Sequence, residues 1–168
     1  MALTNRSRTR SRTAPKIGTL VAFILVLLFG SPIYTDWALE HTSASTAGGW
    51  WLRVLAWPHW WFTDTEDSIE TVFSADLRAI LVVLLTFVFL YLLPGSQLAR
   101  ARGSVSQVFA GWAAYVFAGG FAGLLTTVFW HDPSLYGAFG AAGDGATYGL
   151  FVGWIIGLAT LGAQRGTR

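Results

Sequence analysis

Long uncharged apolar runs dominate the chain, and their lengths predict its elements. A helix that crosses a hydrocarbon core needs about 20 predominantly apolar residues, within a range of about 17–25. Four runs reach that size, at residues 17–34, 77–93, 105–130 and 146–163. The first, IGTLVAFILVLLFGSPIY, places Pro32 near its far end, where a helix can stop at little loss. The second contains AILVVLLTFVFLYLL, the most hydrophobic stretch in the chain, and Pro94-Gly95 after it is a helix-stop signal. The third and fourth are rich in glycine, alanine and aromatic residues. The expected fold is an all-α four-transmembrane-helix bundle, with a tail at 1–16, a long loop at 35–76 and a short tail at 164–168.

Charge gives this bundle a direction. Lys and Arg near a span are retained in the cytoplasm. Arg6, Arg8, Arg10, Arg12 and Lys16 precede the first run, Arg100 and Arg102 join the second to the third, and Arg165 and Arg168 follow the fourth. These are nine of the eleven basic residues, whereas all nine acidic residues fall in the alternate segments. Both termini are therefore expected in the cytoplasm and the 35–76 loop outside, in a cell membrane. A secretory signal is the competing reading of residues 1–34. It requires a small-residue cleavage site directly after the apolar run, where Pro32, Ile33, Tyr34 and Trp37 stand instead.

Composition narrows the function classes. Residues are 54% hydrophobic and 12% charged, with mean hydropathy +0.51, against about 25% charged in an ordinary soluble domain. A formal charge of +2 on so apolar a chain argues against nucleic-acid binding. The absence of cysteine removes disulfides, thiolate metal sites and a thiol nucleophile.

The loop at 35–76 holds six of the nine tryptophans. Tryptophan favours the headgroup level, because its ring is apolar and its N–H needs a polar partner. Within GGWWLRVLAWPHWWF, Trp50, Val54, Trp57 and Trp61 recur at helical spacing, which predicts a Trp-rich interfacial helix with Arg53 reaching back to water and Pro58 ending or kinking it. Trp50, Trp57, Trp60 and Trp61 then form either an anchor over the bundle or a platform for a ligand or partner. Downstream, Thr63 and Glu66 match a capping box. A helix begun there would set Ile69, Val72 and Phe73 on one face, run into the second span and leave Arg78 at its outer edge, able to pair with Asp76 or a facing acid.

In lipid, close helix contact relies on small residues that let backbones approach. Gly145, Gly149, Gly153 and Gly157 recur every four residues, with Gly137 and Ala141 extending the row; Gly119 with Gly123 and Ala118 with Ala122 form neighbouring strips. These rows suit either a hairpin of the last two spans or an intermolecular face. The segment SLYGAFGAAGDG at 134–145 reads as a helical extension, a re-entrant piece or a loop, and it leaves Asp144 at the interface or below it. A carboxylate buried there would be a functional candidate.

Chemistry is otherwise sparse. No ionisable residue is expected near a midplane, which argues against a pump or antiporter. His59 and His131 are weak metal candidates beside outer acids, since His41, His59 and His131 share no ligand spacing. A nucleophile elbow, phosphate loop and dinucleotide fingerprint are all missing, and no cofactor is implied. The expected function is a non-catalytic accessory, scaffold or assembly subunit, with the lipid bilayer and a membrane protein or second copy as partners. The alternatives are an oligomeric transporter or pore for a small or lipophilic solute, and a membrane enzyme or cofactor binder with a site at the outer face.

Overall fold

Uncharged runs fold as helices because each helical peptide group bonds within its own segment, whatever surrounds it. A computed structural model of the chain describes residues 13–61, 69–93, 104–130 and 134–165, and these are all-helical. The first apolar run forms α1 (Thr13–Phe29), and after Gly30 and Ser31 the chain continues as α2 (Pro32–His41), bent by 59° from α1. Pro32 therefore opens a helix where the sequence suggested that it would close one. At the first helical position its missing N–H would have had no partner anyway. Ser31 caps this end, its side chain accepting from the Tyr34 N–H at 3.4 Å.

A short α3 (Ala47–Leu55) follows, with the Thr46 hydroxyl accepting the Gly49 N–H at 3.1 Å. It stops three residues before Pro58, whose ring disfavours helical backbone at Trp57. The helical register inferred for Trp50, Trp57 and Trp61 is thus broken: only Trp50 and Trp51 lie on α3. Arg53 is half-exposed, and its guanidinium meets the end of α2. It donates to the Leu39 carbonyl at 3.1 Å and to the carbonyl and hydroxyl of Thr42, capping α2 where the last carbonyls lack helical partners.

The remaining helices are α4 (Ile69–Leu92), α5 (Ser104–Trp130) and α6 (Leu135–Arg165). Segment 134–145 is neither loop nor re-entrant. Ser134 caps α6, its hydroxyl accepting the Gly137 N–H at 3.0 Å, and the glycines that follow are absorbed into one continuous helix. The Thr63–Glu66 capping box, Pro94-Gly95, His131, Asp132 and most of the basic segments lie outside the described residues.

α5 and α6 form the most extensive interface, α4 packs on α5, and α1 lies against α4 and α6. Helices α2 and α3 sit at one end, with α3 touching α6; this is called the capped end below. The core gathers Ala22 and Val26 of α1, Val82 of α4, Ala114 and Tyr115 of α5, and Tyr148, Val152 and Ile156 of α6. Large apolar side chains also line the outside, including Leu28, Leu84, Phe129 and Leu158. Among the described residues three helices are long and apolar enough to cross a membrane, within Thr71–Leu92, Val105–Phe129 and Leu135–Ala163, and the bent α1–α2 pair would make a fourth if it counts as one span.

Candidate functional site

The glycine rows meet face to face between α5 and α6. A Cβ on Gly119 would collide with the carbonyl oxygen of Gly145, and one on Gly145 with that of Gly119. Further along, a Cβ on Gly123 would strike the Ala141 carbonyl, one on Gly149 would lie 2.5 Å from the Val116 Cα, and one on Gly157 would strike the Val108 carbonyl. Gly153 is looser, with Trp112 and Tyr115 at 3.1 Å. The backbones approach because no side chain stands between them, which is the close contact that small residues permit. Gly111, outside the rows legible in the sequence, joins the seam with Gly157 Cα at 2.9 Å from its would-be Cβ.

Gly145 has a second neighbour, since its would-be Cβ stands 3.0 Å from Trp57 Cη2. Trp57 in turn stacks on Tyr148 with ring centroids 4.9 Å apart, and Tyr148 lies 5.5 Å from Tyr115. The two tyrosine hydroxyls are buried and share a hydrogen bond of 2.8 Å between α5 and α6. Trp57 thus continues the aromatic column from the capped end into the core. Replacing Tyr148 with Phe leaves the Tyr115 hydroxyl buried without this partner, at a cost of about 1–3 kcal/mol. The Tyr115→Phe/Tyr148→Phe double variant removes both polar groups and is expected to lie closer to the parent than either single variant. Denaturation of all four forms in mild detergent measures this, and strictly additive losses would contradict it.

Trp60 serves the break between α1 and α2. Its indole N–H donates to the Val26 carbonyl at 3.0 Å and its backbone N–H to the Gly30 carbonyl at 3.0 Å. Gly30 is needed for that approach, because a Cβ there would meet the Pro58 and Val26 carbonyls. Trp50 packs edge-on against Phe151 of α6 at 4.7 Å. Trp61 donates its backbone N–H to Asp76 Oδ1 at 2.9 Å, and His59 lies 6.1 Å from its ring. The tryptophans proposed as a platform are therefore each in contact with the bundle or with one another. Trp60 and Trp61, with Asp76, close one end of a groove of about 370 Å³ between α1 and α4, whose rim includes Phe23, Leu27, Ile80 and Leu84.

Charged residues stand within the long helices. Arg78 lies within the apolar stretch of α4 and Asp144 within that of α6, roughly 10 and 14 Å along their helices at about 1.5 Å per residue. Asp76 accepts the Trp61 N–H at 2.9 Å. Arg78 is partly buried, and its Nε has no hydrogen-bond partner among the described residues. Asp144 is exposed on the side of α6 turned away from the seam, together with Gly140, Gly143 and Thr147. A Cβ on Gly140 or Gly143 would meet nothing within 4 Å.

Two kinds of glycine thus share one helix, and spacing alone does not separate them. Among the described residues no three His, Cys, Asp or Glu side chains gather in a way that could hold a metal ion, and His131 lies outside those residues. The sequence carried no signal for the Tyr115–Tyr148 pair, because it depends on the register between helices. No protein-family model, curated protein or solved structure matches this chain.

Proposed function

We propose that the chain is a multi-pass protein of the cell membrane, with four spans and both termini cytoplasmic, and that it works as a non-catalytic accessory or assembly subunit of a larger membrane complex. The apolar perimeter and the segregation of basic from acidic segments support the membrane reading. On that reading the capped end is the outer one. The partner reading is carried by one observation: the outer half of α6 turns Gly140, Gly143, Asp144 and Thr147 outward, while its opposite face is packed against α5.

Such a surface is poorly matched to lipid. Acyl chains give no hydrogen bond to a carboxylate or hydroxyl, and a charge at membrane depth carries a penalty of several kcal/mol that a polar neighbour relieves. Missing side chains leave a shallow notch into which another helix can approach, as small residues permit elsewhere in membranes. Bulky side chains flank the notch on both sides, Tyr136 and Phe139 before it and Leu150, Trp154 and Leu158 beyond it.

The test is a photo-cross-linking residue placed at Thr147 in native membranes, with Leu28 of α1 as an exposed apolar control. A discrete protein adduct at 147 and none at 28 is the expected result. Lipid adducts alone at both positions would end the partner reading.

A further inference from the structure

We infer that the groove between α1 and α4 holds one acyl chain of a lipid with an ammonium headgroup, placed by Asp76. The inference rests on the membrane reading and is independent of the partner at α6.

The groove's size falls within the range of ligand sites, about 300–1,000 Å³. From Asp76 to Leu84 it follows α4 for roughly 12 Å at about 1.5 Å per residue. Its lining is apolar apart from Asp76, and its rim side chains Phe23, Leu27, Ile80 and Leu84 are exposed, so it opens sideways rather than toward the bundle axis. In a bilayer a sideways apolar groove faces hydrocarbon, and an extended chain suits a groove that follows a helix over this length.

The groove has a polar end as well as an apolar body. Trp60 and Trp61 close it at the capped end, where the Trp61 N–H fixes Asp76 through one oxygen. An ionised carboxylate has about four acceptor positions, and the Trp61 amide uses one of them. A carboxylate at the outer end of an acyl groove complements a cationic headgroup and repels an anionic one. The surrounding sequence reinforces that sign: residues 35–76 carry seven of the nine acidic residues of the chain and one basic residue, Arg53.

Native mass spectrometry of the purified full chain in mild detergent tests this with two probes, phosphatidylethanolamine and phosphatidylglycerol. One retained ethanolamine lipid is expected, favoured over the glycerol lipid by about threefold to fivefold, the scale of a single partly exposed charge pair. Asp76→Asn keeps an oxygen for the Trp61 N–H and should bring that ratio to about one. Ile80→Trp fills the rim from an exposed position and should reduce retention of both lipids while leaving the fold intact. Equal retention of the two lipids by the parent, a ratio unmoved by Asp76→Asn, or retention unmoved by Ile80→Trp would each overturn the inference. Release of the chain from membranes by alkaline carbonate would instead end the membrane reading beneath it.

Discussion

Gly145→Leu is expected to separate α5 from α6 and to leave little folded protein. The new Cβ alone collides with the Gly119 carbonyl on one side and stands 3.0 Å from Trp57 on the other. Overpacked cores typically lose about 1–3 kcal/mol because side chains shift aside. Here the obstacle is backbone, which cannot rotate away, so the loss should reach or exceed the top of that range. Separating the helices would also disturb the Tyr115–Tyr148 hydrogen bond and the seat of Trp57 on Tyr148. Gly145→Ala should already show much of the effect, and Gly153→Leu less, since its neighbours at 3.1 Å include the Trp112 ring edge. Size-exclusion profiles and thermal denaturation in mild detergent measure it, and parental stability of Gly145→Leu would contradict the seam.

Gly143→Leu, two residues away, is expected to do the opposite in the isolated chain. Its Cβ meets nothing within 4 Å, and leucine is favoured over glycine inside a helix by roughly 0.5–1 kcal/mol. The purified variant should therefore be as stable as the parent or slightly more so. In the native membrane the same side chain would fill the notch beside Asp144 and Thr147 and hold off an approaching helix, so the cross-link from position 147 should disappear. A variant that is stable yet keeps the cross-link would place the partner elsewhere. The contrast between positions 143 and 145 separates folding from assembly on one helix.

The sequence revealed part of this arrangement because some of its signals are periodic. A four-residue glycine repeat marks one stripe of a helix whatever lies opposite, so Gly145, Gly149, Gly153 and Gly157 were visible as a row. The row did not disclose its partner, and it gave no hint that Gly140 and Gly143 face outward from the same helix. Periodicity also misled at Trp57 and Trp61, where the spacing continued past a proline that the backbone does not cross as helix. Single glycines were silent for the same reason. Gly30 matters because the Pro58 carbonyl crosses it, and Gly18 because Leu90 and Thr160 press on it from α4 and α6. Neither contact follows from local sequence.

Charge was legible as a segregated pattern along the chain. Residues 134–145 could be read as a loop, a re-entrant piece or a helical extension, and α6, which begins at Leu135, takes them in as helix with Asp144 on it. Arg78 was expected to find Asp76 or a facing acid, and the choice between them depended on how the loop folds. Trp61 takes Asp76 through its backbone N–H. Helix ends and loop contacts decided both outcomes.

The most direct test of the central claim is gentle extraction of the chain from its native membranes through a C-terminal tag, with the eluate's composition and stoichiometry read by mass spectrometry. A membrane protein recovered in fixed ratio with the parent chain, and lost from the stably folded Gly143→Leu variant, is the predicted result. Recovery of the chain alone, or of the same partner in the same ratio from both forms, would contradict it.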